Sequence, residues 1–167
     1  MPELELTRSR EDRKRYVLDG VGALRLEGWT NRTATATAGD RTWALARRGV
    51  FKAVVEATDA FGTPVGIYEP RTFKRGGTLR WGGREYTLRP ASAWRSRYAL
   101  ADGERELAVF DGRGWGKRPV AVVVEDPAAL DAGLVLYTAF VVRGLAEDAN
   151  TAAAAGASAA GAGAVSG

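Results

Sequence analysis

Residues 132–142, AGLVLYTAFVV, run without a charge and show no polar side on a helical wheel. A helix that is apolar all round must be enclosed all round, by protein or by lipid. Length separates the two. Eleven residues rise about 16 Å as a helix, against roughly 30 Å of bilayer hydrocarbon. Lengthening the run to span a bilayer takes in Asp131 and Arg143, each costing on the order of 2.5–3.5 kcal/mol at the bilayer centre. A core helix is therefore expected ahead of a membrane span. Its expected limits are residues 127–146, with Asp126 as the cap and Pro127 in the first helical position.

The rest of the chain must supply the enclosure, and it reads as strands. Eleven short apolar runs follow one another from KRYVLD (14–19) through TATATA (33–38), TWALARR (42–48), GTLRWG (77–82) and WRSRYALA (94–101) to RPVAVVVE (118–125). Several alternate with period two: Trp43, Leu45 and Arg47 share one face, Leu79 and Trp81 another. Between them stand turn residues such as Ala38-Gly39-Asp40, Gly82-Gly83 and Asp102-Gly103. A faint echo at a spacing of about 43 residues (Trp43-x-Leu45 and Tyr86-x-Leu88) favours an up-and-down order of hairpins. A barrel of many strands is too wide for its own side chains to fill, whereas a helix about 10 Å across fits the lumen. The expected fold is all-β with one helix, a closed antiparallel β-barrel of about 11–12 strands around a central hydrophobic C-terminal α-helix. Ala34, Ala36, Ala44 and Ala46 are candidates for small inward residues that make room for it.

Three segments are expected. Residues 1–15 mix Arg8, Arg10, Arg13, Lys14 and Arg15 with Glu3, Glu5, Glu11 and Asp12 and read as a solvated, charged arm. They hold no apolar signal-peptide core, so a cytoplasmic location is the default. Residues 16–146 form the barrel and helix. Residues 147–167, rich in Ala but broken by Gly156, Gly161, Gly163 and Gly167, read as a flexible tail.

The order of these features resembles the tubby C-terminal-like superfamily, which includes the LURP-one-related and phospholipid-scramblase-like proteins. The resemblance covers roughly residues 16–146. It is carried by Trp43-x-Leu45-x-Arg47, the Asp59-x-Phe61-Gly62-x-Pro64-Val65 turn and the Gly82-Gly83-Arg84-Glu85-Tyr86-x-Leu88 turn and strand. The Tyr98-x-Leu100-x-Asp102-Gly103 hairpin and the helix LVLYTAFVVRGLA (134–146) complete it. The resemblance implies a barrel closed around a central helix, association with membrane lipid and no enzyme activity.

The chemistry on offer is narrow. The chain has no Cys and no His, which removes disulfides, thiolate nucleophiles, Cys- or His-based metal sites and the commonest general base. No cofactor and no metal are expected. The carboxylates Glu56, Asp59, Asp102, Glu104 and Glu106 stand at turns, where they are ordinary solvated groups. A carboxylate enzyme or small-ligand binder would need a pocket beside the helix. The formal charge is +4, yet 20 of the 24 basic residues are Arg in a chain rich in Ala and Gly, a bias that base composition alone can produce. The informative feature is clustering at turns: Arg47, Arg48 and Lys52; Arg71, Lys74 and Arg75; and Arg113, Lys117 and Arg118 in the glycine-rich run 111–118. That run fits neither a dinucleotide fingerprint nor a phosphate loop and reads as a hairpin connection ahead of an anion nest. If one end of the barrel gathers the three clusters, they form a basic rim suited to anionic headgroups.

The function expected is a non-enzymatic binding or scaffold module, peripheral at the inner face of the membrane and bound to an anionic phospholipid surface. The alternative is a cytoplasmic protein–protein interaction module with no lipid role. Nucleic acid ranks lower, because acids are interleaved with the basic residues. The five tryptophans are expected in the core and barrel wall, except for Trp115, flanked by glycines.

Overall fold

The computed structural model describes residues 3–49, 52–72, 74–113, 116–126 and 130–165, with side chains described up to residue 156. Twelve strands precede one helix: β1 (Glu3–Arg8), β2 (Arg15–Leu18), β3 (Gly22–Glu27), β4 (Thr33–Ala38), β5 (Arg41–Arg48), β6 (Val54–Asp59), β7 (Pro64–Pro70), β8 (Gly77–Trp81), β9 (Arg84–Pro90), β10 (Ser96–Asp102), β11 (Arg105–Gly112), β12 (Val120–Val124) and α1 (Ala132–Val165). Each strand pairs antiparallel with its neighbours in sequence, and β1 pairs with β12 to close the barrel.

The strand that closes the ring is one that the sequence reading assigned to a solvated arm. Residues 3–8 alternate, and Leu6 is fully buried while Leu4 packs against the core. Their flanking charges face outward, so a two-residue apolar pattern sits inside a charged stretch. Physically the strand is required. An all-antiparallel ring needs an even number of strands, and the eleven runs from residue 14 to residue 125 cannot close without one more.

The helix occupies the lumen. Residues 133–144 are buried without a break, and at 3.6 residues per turn that covers every side of the axis. Its contacts reach strands all round the ring. The Tyr137 hydroxyl donates to the Val55 carbonyl of β6, and its ring stacks on Trp81 of β8 at 5.2 Å. Gly22 of β3 lies against Leu136, and Gly112 of β11 lies against Val142 and Ala146. Large and small residues face each other across the wall, with Trp43 opposite Ala36 and Leu45 opposite Ala34. Ala34 and Ala36 point inward as expected, whereas Ala44 is exposed and Ala46 half-buried. Strand alternation fixes this: with Trp43 and Leu45 inside, Ala44 and Ala46 must take the outer face.

The helix ends differ from expectation. Pro127, Ala128 and Ala129 lie outside the described residues, and the cap is Asp131, whose carbonyl accepts the first helical bond from the Val135 amide. At the other end the helix does not stop near 146 but continues to Val165. Ala has the highest helix propensity, and the run Ala152–Ala155 carries the helix up to Gly156 and beyond.

Candidate functional site

The strict up-and-down order sorts the connections into two sets at opposite ends. At the cap end, where α1 begins, five hairpins of two to four residues and the 125–131 connection contain Asp19, Asp40, Glu104, Glu125, Asp126 and Asp131 and no Lys or Arg. At the mouth, where α1 leaves the barrel, six connections of five to seven residues contain twelve Lys and Arg against Glu11 and Asp12. Every mouth connection has at least one basic residue.

All nine basic candidates fall at the mouth, on the connections or on the last residues of β5. Their side chains are differently employed. Arg47 points inward, is largely buried, and pairs with Asp148 of the helix, so it anchors α1 where it leaves the lumen and is withdrawn from the rim. Arg75 donates to the carbonyls of Ser92 (2.8 Å), Ala93 (3.4 Å) and Arg95 (2.7 Å) and lies over the Tyr98 ring, clamping the neighbouring connection. Arg48 pairs with Glu56 at 3.2 Å and Arg118 with Glu5 at 3.1 Å, both exposed pairs of small energetic worth. Lys52 donates to the Arg71 carbonyl at 2.9 Å. Arg71, Lys74, Arg113 and Lys117 are exposed and make no ion pair among the described residues. The 113–119 connection joins the antiparallel pair β11 and β12, and its Lys117 carbonyl accepts from the Arg8 amide of β1 at 2.7 Å.

The mouth also holds residues that the sequence reading did not select. Arg10, Arg13, Lys14, Arg32 and Arg95 join the rim once β1 is part of the barrel and the connections share an end. Two of the tryptophans expected in the wall are wholly exposed there instead: Trp29 on the β3–β4 connection and Trp94 on the β9–β10 connection. Trp43 and Trp81 are buried as expected, and Trp115 lies outside the described residues. The signal was available in local context. Trp29 follows Gly28 and precedes Thr30-Asn31, and Trp94 sits in Ser92-Ala93-Trp94-Arg95, so neither belongs to an alternating run. Between Trp94, Arg95 and Arg113 on the rim and Asn150 and Ala153 of the helix lies an open cleft of about 510 Å³. The Asn150 side chain closes its base by donating to the Arg113 carbonyl at 2.8 Å.

The cap end is built for structure. Asp131 accepts from the Trp81 indole N–H and the Gly133 amide, both at 3.0 Å, and pairs with Arg41 through both oxygens at 3.1 and 3.3 Å. Burial pushes its carboxyl up, but these donors and the Arg41 charge outweigh that and hold it below the usual carboxylate range. Asp59 accepts from the amides of Phe61 and Thr63, and Asp102 pairs with Arg84, so the turn carboxylates tie hairpins together. Inside the wall, burial pushes the Tyr68 and Tyr137 hydroxyls up, which keeps them neutral in the packed lumen.

Among the described residues no cluster of His, Cys, Asp and Glu is grouped to hold a metal ion, and no helix is long and apolar enough to cross a membrane. No protein-family model matches the sequence, and no curated protein or solved structure matches the chain. What the fold defines is a closed twelve-stranded antiparallel barrel wrapped on its own C-terminal helix, with opposite charge at its two ends.

Proposed function

We propose that this protein is a non-enzymatic docking module that associates with anionic membrane surfaces through the basic connections around its mouth. One observation carries the reading: twelve basic residues against two acidic ones in the connections of the mouth, and six acidic against none in the connections of the cap end. A body so polarised orients in the field of an anionic leaflet, mouth inward and cap end away. The helix fills the lumen, so chemistry that needs a central pocket has little room, and surface contact at the rim is the better use of the fold. The resemblance to the tubby C-terminal-like, LURP-one-related and phospholipid-scramblase-like proteins points the same way, towards a peripheral role at the cytoplasmic leaflet.

Each Lys or Arg brought to an anionic surface contributes about 1 kcal/mol. Reversing Lys74, Arg113 and Lys117 to Glu is therefore expected to weaken binding by at least about 100-fold. Sedimentation with phosphatidylglycerol-containing and purely zwitterionic vesicles at low salt is the test. Equal binding to both, binding to neither, or an unaffected triple variant would remove the proposal.

A further inference from the structure

Among the described residues three large apolar side chains are wholly exposed: Trp29, Phe61 and Trp94. Phe61 tips a hairpin at the acidic cap end, whereas both tryptophans stand on the basic rim. Their connections are held in shape. Trp29 lies between Gly28 and Asn31, both in the left-handed region at φ 72° and 53°, and Lys14 donates to the Gly28 carbonyl at 2.5 Å. The Ser92 hydroxyl accepts from the amides of Trp94 and Arg95 at 3.3 and 3.2 Å, and Arg75 grips three carbonyls of the same turn. These are indole rings presented by built turns.

Building on the membrane reading above, we infer that Trp29 and Trp94 insert into the headgroup–acyl boundary and hold the barrel end-on to the bilayer. The two connections lie six strands apart in a ring of twelve, on opposite sides of the mouth. With strands about 4.8 Å apart and tilted about 40°, the ring of twelve is roughly 24 Å across. Two anchors at that separation span the mouth, and the basic connections between them complete a broad face, which suits a flat surface. Successive bases of a single strand stack only on rings a few ångströms apart, so the spacing disfavours nucleic acid. Tryptophan favours the water–hydrocarbon boundary because one edge of the ring is polar and the rest apolar. Beside the anchors stand the exposed Arg95 and Arg113, able to meet headgroup phosphates, whereas Arg32 is half-buried and donates to the Gly49 carbonyl. The helix that leaves the same mouth carries no charged residue after Asp148.

Intact protein is titrated with anionic vesicles of brominated phospholipid while tryptophan emission is recorded. In a Trp115→Phe background quenching is expected, reduced in Trp29→Phe and again in Trp94→Phe, since the buried Trp43 and Trp81 contribute none of it. Trp29→Ala and Trp94→Ala are each expected to weaken partitioning about tenfold, as loss of a buried aromatic surface implies. Phe61→Ala, at the far end, leaves partitioning unchanged. Wild-type binding without quenching, with the double alanine variant binding equally well, overturns the insertion and leaves the electrostatic reading standing. Failure of the wild type to bind anionic vesicles overturns both. Tryptophan-dependent retention of single-stranded RNA in place of vesicles overturns the inference in favour of nucleic acid.

Discussion

Removing the Asp131 carboxylate tests whether the helix is locked into its barrel at the cap end. Asp131→Ala deletes three interactions at once. Loss of the helix cap costs about 1 kcal/mol. The Trp81 indole N–H, on a residue 6 % exposed, is left without its acceptor, which costs about 1–3 kcal/mol. The Arg41 pair, with both side chains partly in water, adds about 0.2–1 kcal/mol. The expected destabilisation is about 2–5 kcal/mol, read as a shift of the urea midpoint at constant slope. Asp131→Asn keeps one acceptor and should cost roughly half as much. A double-mutant cycle with Trp81→Phe should return a coupling of about 1 kcal/mol. The carboxyl sits below its ordinary range in the folded state. Its contribution is thus complete above the unfolded value, about pH 4, and fades as pH falls through the lower folded value. The Asn variant should lack that part of the acid dependence. A cost under about 0.5 kcal/mol for Asp131→Ala, or strict additivity with Trp81→Phe, would refute the lock.

Two further substitutions probe the same architecture. Gly133→Ala would place a methyl 2.6 Å from ring carbons of both Trp43 and Trp81, so overpacking of about 1–3 kcal/mol should exceed the gain in helix propensity of about 1 kcal/mol. A raised Tm for this variant would mean that the indoles do not close over the start of the helix. Leu6→Ala should cost about 2–5 kcal/mol as a buried truncation in β1, whereas a leucine on a solvated arm would be replaced without measurable effect in chemical denaturation.

The strands and the helix were legible because their signals are local. Alternation in TWALARR and the turn pairs Gly82-Gly83 and Asp102-Gly103 each occupy a handful of residues, and all are found where their pattern puts them. An apolar run of eleven residues needs no tertiary context to demand enclosure. β1 escaped notice because only Leu4 and Leu6 carry its pattern, with glutamates beside them, and its need is stated by the ring and not by the segment. The length of α1 was misread for the opposite reason: glycines were weighed singly, while Ala152–Ala155 continues a helix already nucleated and anchored inside the barrel. Trp29 and Trp94 were assigned to the wall on residue type, where their turn neighbours were the better guide.

The candidate site was legible only in part, because the property that defines it is topological. Along the sequence the charges look mixed, which weighs against nucleic acid, and only the basic clusters at turns hint at a rim. An up-and-down barrel unmixes them. Consecutive connections go to alternate ends, so a chain in which every second turn is basic and the turns between carry acids or no charge folds into a body with two opposite poles. No window of sequence contains either pole. Arg32, Arg71 and Arg113 stand on connections separated by other hairpins in the chain, yet they share one rim in the fold. Because the helix fills the interior, that rim is where the fold leaves polar side chains unspent. Arg47 marks the boundary: it belongs to the basic set by sequence, but turning inward to Asp148 it fixes the helix in the mouth and leaves the outward contact to its neighbours.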